Sequence, residues 1–213
     1  MPSDPASRHR CQEEQHKALL LYERELWAQG YQRVLGMDEV GRGSLAGPVM
    51  VAGVILPRDA RLIGVNDSKL LTAKQRSTCA AEIRAVAVDL AVAERDQRFI
   101  DQYGIVAAVE SCQHEIIARL CPDYLLLDAF ALPNVQVPQQ ALVKGDQKSL
   151  SIAAASIIAK VTRDAYMVEM DREYPLYGMA SHKGYGTAKH RAALEQHGAS
   201  ALHRHSFLRF LEG

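Results

Sequence analysis

The stretch that most constrains the fold begins at residue 36 and reads GMDEVGRGSLAGP. It overlaps one short apolar segment, Arg33–Met37, and leads into another, Val49–Leu56. The two segments predict strands joined by a glycine-rich connection. The carboxylates Asp38 and Glu39 are unfavourable there, because neighbouring side chains of a strand point to opposite faces and one of them turns towards the core. We therefore expect the acidic pair to serve a ligand.

The rest of the chain alternates between helical and strand-like patterns. A polar tail of about 12 residues is expected to fray at the N-terminus, and Ser149 or Ser151 could cap the long helix. A hairpin followed by alternating helices and strands predicts a mixed α/β sheet flanked by helices. Helices are predicted at Glu13–Ala28, Ala73–Val86, Ile105–Leu120, Ser151–Glu173 and Lys189–Gln196, and further strands at Val88–Glu94, Asp123–Phe130 and Gln140–Val143.

The charge composition gives no overall signal for a polyanionic partner, since 25 basic residues balance 25 acidic ones. Between Lys144 and Arg209, however, ten Lys and Arg face six Asp and Glu, which makes this region the expected phosphate-binding surface. The four cysteines form no CxxC pair and are expected to be reduced thiols. With no apolar segment of transmembrane length and no signal-peptide pattern, we expect a soluble, cytoplasmic protein that does not associate with membranes.

Two further acids follow apolar runs: Asp128 follows Leu125–Leu127, and Asp146 follows the sequence Val-Lys-Gly. Each is expected to end a strand, and ligand sites in open α/β sheets lie at strand ends, so these acids can converge with Asp38 and Glu39. Crowded carboxylates require cations, and such hard oxygen ligands suit Mg²⁺ or Mn²⁺. Two such ions can catalyse phosphodiester hydrolysis. Taken singly, each strand-end aspartate is equally typical of a turn.

Substrate-binding candidates flank the acids. Gly41, Arg42 and Gly43 allow close approach of a sugar or phosphate, although a plain turn also explains them. Lys69 could meet a phosphate at the start of a helix, where a solvated cap is the alternative.

Two later residues complete this set of candidates. Ser156 lies in the small-residue half of the long helix, which could either bind phosphate or simply pack in the core. Tyr185, between two glycines, could stack on a base or sugar, with a structural role in the turn as the alternative.

With these motifs in place, the chain resembles the bacterial ribonuclease HII family, the type 2 ribonucleases H, from about Tyr31 to Phe207. The motifs that carry the resemblance are GMDEVGRGSLAGPV, NDSKLL, LLLDA, VKGD, SIAAASIIAKVTRD, YPLYGMASHKGYGT and HRHSF. The resemblance implies a ribonuclease H-like fold with a small C-terminal helical portion. Residues 1–30 would form a tail and helix, 31–173 the catalytic domain, and 174–213 a helical segment that completes the substrate surface.

The resemblance also implies an activity. Family members hydrolyse the RNA strand of RNA/DNA hybrids and cut 5′ of single ribonucleotides in duplex DNA, leaving 3′-hydroxyl and 5′-phosphate ends. By motif position, the glycine loop would grip the ribose 2′-hydroxyl and Tyr185 would stack on the neighbouring sugar. The catalytic and metal-binding acids would be Asp38, Glu39, Asp128 and Asp146. Ala129, where glycine is common, and the end SFLRF depart from the family pattern without touching a proposed ligand.

Mechanistically, we expect Asp38 to bridge two Mg²⁺ or Mn²⁺ ions, with Asp146 holding the ion that activates water and the other two acids holding the ion beside the leaving oxygen. A monomer is expected, and a sliding-clamp contact stays open. Alternatives are a sister enzyme with an N-terminal platform, a junction-resolving nuclease, and a catalytically silent hybrid-binding module. The short helical extension argues against the platform, and the intact acids argue against the silent module, because anionic nucleic acid gains nothing from added negative charge.

Overall fold

The computed structural model describes residues 5–66 and 68–211, and its centre is one mixed β-sheet. The first four residues of the predicted tail and Asp67 of the NDSKLL motif lie outside the described residues. The strands of the sheet are β1 (Val34–Val40), β2 (Val49–Ile55), β3 (Asp89–Arg95), β4 (Tyr124–Asp128) and β5 (Gln139–Leu142), in the order β3-β2-β1-β4-β5.

The pairing of the strands brings the acids together at one edge. β1 runs antiparallel to β2 and parallel to β4, which in turn is parallel to β5. Met37 pairs with Leu127, so the next residues, Asp38 and Asp128, lie side by side at the carboxyl ends of adjacent parallel strands. This is the edge at which ligands bind in open α/β sheets.

Helices cover both faces of the sheet, as predicted for an α/β fold. They are α1 (Pro5–Leu19), α2 (Leu21–Ala28), α3 (Ala73–Val86), α4 (Gln97–Tyr103), α5 (Ile105–Leu120), α6 (Leu150–Glu173), α7 (Met179–His182) and α8 (Ala188–His197). One core joins α6, α3 and α2 to strand residues such as Val34 and Leu126. A second core joins α5 to the alternate residues, such as Leu35 and Leu127. The alternation follows from the two-residue period of a strand.

The start of α6 is fixed by side chains from two directions. Ser149 is the N-cap and accepts a hydrogen bond from the Ile152 amide at 3.2 Å, as predicted. Glu23 of α2 accepts hydrogen bonds from the Ser149 hydroxyl at 2.6 Å and from the Ser151 amide at 2.9 Å. A carboxylate near a helix N-terminus also interacts favourably with the helix dipole. The N-terminal helices therefore help to position the helix that crosses the site.

Two predicted elements near the N-terminus differ from the observed ones, and one observed helix in the middle of the chain was not predicted. Residues 5–12, expected to fray, belong to α1, and the expected single helix is divided at Leu20, whose ψ of 1° leaves the helical path. Helix α4 was not predicted, although Asp96 caps it through the Phe99 amide at 2.8 Å and Gly104 follows it at a φ of 85°. A seven-residue helix is too short for a clear apolar period.

The predictions at the acids also need correction. β1 continues to Val40, so Asp38 and Glu39 lie inside the strand rather than after it. Asp146 does not end a strand, because β5 stops at Leu142 and a 3₁₀ turn, Gly145–Gln147, carries the acid. The connection between β1 and β2 is the loop 41–48 rather than a tight turn, and it pairs with the C-terminal segment through a bridge between Ser44 and Tyr185.

Candidate active site

Carboxylates from two strands border one cavity of about 400 Å³ at the carboxyl edge of the sheet. Asp38 and Glu39 come from β1, and Asp128 comes from the end of β4. The predicted convergence of these three acids is therefore observed. The same cavity is bordered by Gly41, Arg42, Gly43, Lys69, Ser156 and Tyr185, the full set of predicted substrate-binding residues.

Asp38 is the most constrained of the acids. Its Oδ1 accepts a hydrogen bond from the Glu39 amide at 2.8 Å, and the Ser156 hydroxyl also hydrogen-bonds the carboxylate. Burial raises the pKa of Asp38 to about 7, with smaller contributions from the negative charges of Glu39 and Asp128. Ser156, whose hydroxyl is also 3.0 Å from that of Ser68, thus holds a carboxylate in addition to bordering the cavity.

The fourth predicted acid, Asp146, lies beside this group. The Gly145 amide donates to Asp128 Oδ1 at 2.7 Å, which links the 3₁₀ turn to the end of β4. Asp146 is only 3% exposed, and its Oδ2 lies 3.5 Å from Nζ of Lys69. The Lys69 side chain is 80% exposed and can reach a phosphate from the rim of the cavity.

Basic side chains accompany the acids. Arg42, Lys69, Arg76 and Lys160 all border the cavity, and Arg42 Nη1 lies 3.3 Å from Glu39 Oε1. A site that combines carboxylates with exposed cations can bind both a metal ion and the phosphate that the ion contacts. Arg76 could not be recognised as part of the site from the sequence, because a basic residue near the start of a helix carries no distinctive pattern.

The glycine loop, defined here as residues 41–48, is held against the C-terminal segment by backbone hydrogen bonds. The Leu45 amide donates to Gly184 O at 2.8 Å, and the Gly47 amide donates to Leu202 O at 2.9 Å. Tyr185, half-buried, therefore lies next to the loop that it was predicted to complement.

Three histidines fix the backbone at Tyr185. Nδ1 of His190 lies 3.0 Å from Tyr185 O and donates to it, so Nε2 of His190 accepts from Nε2 of His203 at 3.0 Å. Nδ1 of His203 accepts from the Ser200 amide at 2.9 Å, and His182 stacks on His190 at 4.3 Å. Burial, and then the neighbouring His190, lower the pKa of His203 to about 4. The network requires neutral rings.

The sequence model of the ribonuclease HII family matches residues 35–210. Ribonuclease HII of Halalkalibacterium halodurans is 50% identical over 195 residues, which cover 91% of this chain and 74% of that protein. The chain belongs to the ribonuclease HII family. Ribonuclease HII of Geobacillus thermodenitrificans is 48% identical over 206 residues, 96% of this chain and 77% of the relative.

Solved structures agree with this assignment. Ribonuclease HII from Archaeoglobus fulgidus, solved in a complex with PCNA, superposes with a TM-score of 0.74 at 28% identity and covers 84% of this chain and 97% of that one. Ribonuclease H2 from Pyrococcus horikoshii gives a TM-score of 0.69 at 26% identity, with 85% and 97% covered. The ribonuclease H-like fold is therefore confirmed. As a ribonuclease HII, the chain is a metal-dependent endonuclease that acts on RNA/DNA.

The donor set of this ribonuclease HII fits a hard divalent cation without forming a closed cage. Within residues 5–66 and 68–211, no three His, Cys, Asp or Glu side chains are arranged to hold a metal ion by themselves. Burial, with a smaller contribution from the charges of Glu39 and Asp128, raises the pKa of Asp38, and a bound cation would offset both effects. Carboxylate oxygens are the ligands that Mg²⁺ and Mn²⁺ prefer. Mg²⁺ commonly uses one or two carboxylates and takes its remaining ligands from water and substrate phosphate.

The described part of the chain contains no helix with the length and apolar character that crossing a bilayer requires.

Proposed function

We propose that this ribonuclease HII hydrolyses the RNA strand of RNA/DNA hybrids and cuts 5′ of single ribonucleotides in duplex DNA, leaving 3′-hydroxyl and 5′-phosphate ends. The observation that supports this proposal is the shared cavity, in which three carboxylates, the glycine loop and Tyr185 border one volume of about 400 Å³. A phosphate bound at the acids would have its sugar within reach of the loop, because both line the same space.

In this proposal Asp38, Glu39, Asp128 and Asp146 hold two Mg²⁺ or Mn²⁺ ions. Such ions lower the pKa of an attacking water and stabilise the leaving oxygen. Asp38 is the best candidate for a shared ligand, because it interacts electrostatically with both Glu39 and Asp128. The Ser156 hydroxyl and the Glu39 amide keep the Asp38 carboxylate in place, and Lys69 and Lys160 offer positive charge to the phosphates.

Ribose recognition is assigned to the glycine loop at Gly43. A Cβ added at Gly43 would meet no atom of the protein within 4 Å, so the fold itself places no restriction on a side chain there. A Cβ at Gly41 would instead overlap Nε of Arg163, and Gly41 also has a φ of 88°. Packing within the protein therefore accounts for the glycine at position 41. The glycine at position 43 is instead accounted for by a substrate that approaches the backbone closely.

The substitution Gly43→Ala tests this assignment. We expect normal thermal stability and a decrease of roughly 10- to 100-fold in kcat/KM on a ribonucleotide-containing duplex, mainly through KM, because the methyl group occupies the position of the sugar. Steady-state kinetics and a melting curve measure the two effects. Gly41→Ala is the contrasting variant and should lose stability. Unchanged kinetics for a well-folded Gly43→Ala protein would contradict the assignment.

The proposed function itself is tested with four substrates of matched sequence. Three are duplexes, namely all DNA, DNA with one embedded ribonucleotide, and an RNA/DNA hybrid, and the fourth is a four-way DNA junction. We expect cleavage of the second and third only, at the 5′ side of the single ribonucleotide, and none with EDTA, because the acids depend on divalent ions. Mass spectrometry of the products identifies the ends. Junction cleavage would favour a resolving nuclease, and binding of the hybrid without cleavage would favour a silent binding module.

The remaining assignments follow from the same proposal. Residues 174–213 act as the segment that completes the substrate surface of the catalytic part, 31–173, because Tyr185 borders the cavity beside the strand acids. The archaeal relative solved with PCNA supports a sliding-clamp contact for this chain as well. In this proposal the enzyme is a cytoplasmic monomer that acts on chromosomal duplexes.

A further inference from the structure

The feature that the proposed function leaves unexplained is a fully buried arginine between the two substrate-recognition segments. Arg163 of α6 is 0% exposed. Its guanidinium donates to Pro48 O at 2.8 Å, to Ala46 O at 3.0 Å and to Lys183 O at 2.9 Å. Three backbone carbonyls from two distant segments are therefore joined by one planar group.

Arg163 also contacts Tyr185 and Gly41, which both border the cavity. Its Cζ lies 5.5 Å from the centre of the Tyr185 ring, within the range of a cation–π contact. Its Nε packs so closely on Gly41 that no Cβ would fit there. The residue thus touches the beginning and the end of the glycine loop, the turn before Tyr185, and the aromatic ring itself.

The position is costly for a residue that serves only to fill space. Burial of a guanidinium is unfavourable, and the carbonyl groups it contacts carry no negative charge. A second buried arginine, Arg204, donates to Gly47 O at 2.9 Å and to Arg42 O at 3.1 Å, so it also holds the glycine loop. It does not make the cation–π contact with Tyr185 that Arg163 makes. The fork of Arg163 is the group that connects the loop to the aromatic side chain.

We propose that Arg163 is a positioning residue that fixes the glycine loop relative to Tyr185, so that both recognise the same ribonucleotide step. This inference rests on the proposed function, because the spacing of the loop and the Tyr185 ring matters only if both bind the ribonucleotide. Arg163 does not touch the reacting atoms, and it acts through the backbone at residues 46–48 and 183.

The central test compares Arg163→Lys and Arg163→Ala with the wild type on a duplex that carries one ribonucleotide. Lysine keeps the charge but not the fork, so we expect kcat/KM to decrease by about 10-fold for Arg163→Lys and by about 100-fold for Arg163→Ala. Millimolar guanidinium chloride, far below denaturing concentrations, should restore part of the activity of Arg163→Ala, whereas urea should not. Mn²⁺ binding in the absence of nucleic acid should stay within about twofold of wild type, because Arg163 is not a ligand.

Ile158→Ala is the matched control, since Ile158 is a buried residue of the same helix and belongs to a core cluster that includes no residue of the glycine loop. It should lower stability without changing the kinetics of the folded protein. A double-mutant cycle between Arg163→Lys and Tyr185→Ala should be non-additive, because the first substitution acts partly through the second residue.

Hydrogen exchange provides a readout that is independent of activity. The Leu45 and Gly47 amides should exchange faster in Arg163→Lys than in Ile158→Ala. Both amides donate to carbonyls of the C-terminal segment, and Arg163 holds the glycine loop against that segment. This exchange result would stand even if the wild type did not cut at ribonucleotides, which separates the two proposals.

Wild-type kinetics in a folded Arg163→Lys protein would overturn the inference. Additive effects of Arg163→Lys and Tyr185→Ala on kcat/KM would also overturn it. So would a loss of kcat/KM in both arginine variants that is no larger than in Ile158→Ala at equal stability. If Arg163→Lys does not fold, the residue acts on the fold as a whole and the inference is likewise wrong.

Discussion

Asp38→Asn should abolish cleavage of a duplex with one ribonucleotide and at the same time make the metal-free protein more stable at pH 8. The activity should decrease by roughly 1,000-fold or more, equivalent to about 4 kcal/mol of transition-state stabilisation, because the proposed function makes Asp38 a shared metal ligand. Substrate binding should persist, since the glycine loop and Tyr185 are unchanged. Single-turnover kinetics and a binding assay at the same metal concentration measure the two quantities.

The gain in stability follows from the raised pKa of Asp38. The pKa of Asp38 is about 7 in the folded protein, against 3.8 for an unperturbed aspartate, so between these pH values the folded state holds a proton that the unfolded chain releases. Stability is therefore lost as the pH rises through this window, and Asn, which carries no charge, avoids the loss. We expect a gain of about 1–2 kcal/mol at pH 8, less than the full linkage value because Asp38 borders the cavity and is only half-buried.

The pH dependence supplies the control for this prediction. The difference in the free energy of unfolding between Asp38→Asn and the wild type should shrink to a few tenths of a kcal/mol at pH 4, where Asp38 is protonated in the folded state and, with its ordinary pKa of 3.8, about half protonated in the unfolded chain. Denaturant titrations in EDTA at pH 4, 6 and 8 measure it. An Asp38→Asn protein that is less stable than the wild type at pH 8, or that cleaves at more than a few per cent of the wild-type rate, would refute this account of the site.

Gly36→Ala should produce the largest loss of stability among single-methyl additions in the sheet. A Cβ on Gly36 would lie 2.5 Å from the Ile152 amide nitrogen and would overlap the Ser151 backbone, so the start of α6 would have to move away from β1. Backbone at a buried helix terminus does not adjust easily, and we expect a loss of about 3 kcal/mol or more. Urea titrations monitored by circular dichroism measure it.

Gly53→Ala is the comparison for this prediction. Its Cβ would lie 2.6 Å from Cγ2 of Ile116 and 3.0 Å from Cδ1 of Leu35, contacts with side chains rather than with backbone, so we expect a smaller loss of about 1–2 kcal/mol. Because Ser156 on α6 holds Asp38, the shift of α6 in Gly36→Ala should also reduce activity in the fraction that stays folded. Equal stability of the two variants would show that α6 does not depend on the close approach at Gly36.

The sequence predicted the elements whose residues carry strong local patterns. The apolar runs of β2 and β4, the helical spacing of α3 and α5, and the Ser149 cap of α6 were each recognisable from neighbouring residues. The carboxylates Asp38, Glu39 and Asp128 could be predicted to converge because parallel strands share one functional edge. Such inferences need only local pattern and the rules of sheet topology.

What the sequence did not reveal depends on contacts between distant segments. Nothing in the neighbouring sequence indicates that Arg163 is buried, and its carbonyl partners Pro48 and Ala46 lie 115 and 117 residues away in the chain. The contact of Glu23 with the start of α6 was not predicted, because no residue near Glu23 in the sequence indicates it. The turn that carries Asp146 has a left-handed Lys144 before it, a conformation that an apolar pattern does not encode.

The length of α6 has a consequence for where the enzyme cuts. Ser156, which holds Asp38, and Arg163, which holds the loop and Tyr185, lie seven residues apart on one uninterrupted helix. At 1.5 Å per residue, the helix separates these two supports by about 10 Å. Under the two proposals above, this rigid helix would set the offset between the severed bond and the recognised sugar. Insertion of one residue between the two supports would rotate them by about 100° relative to each other and destroy that register.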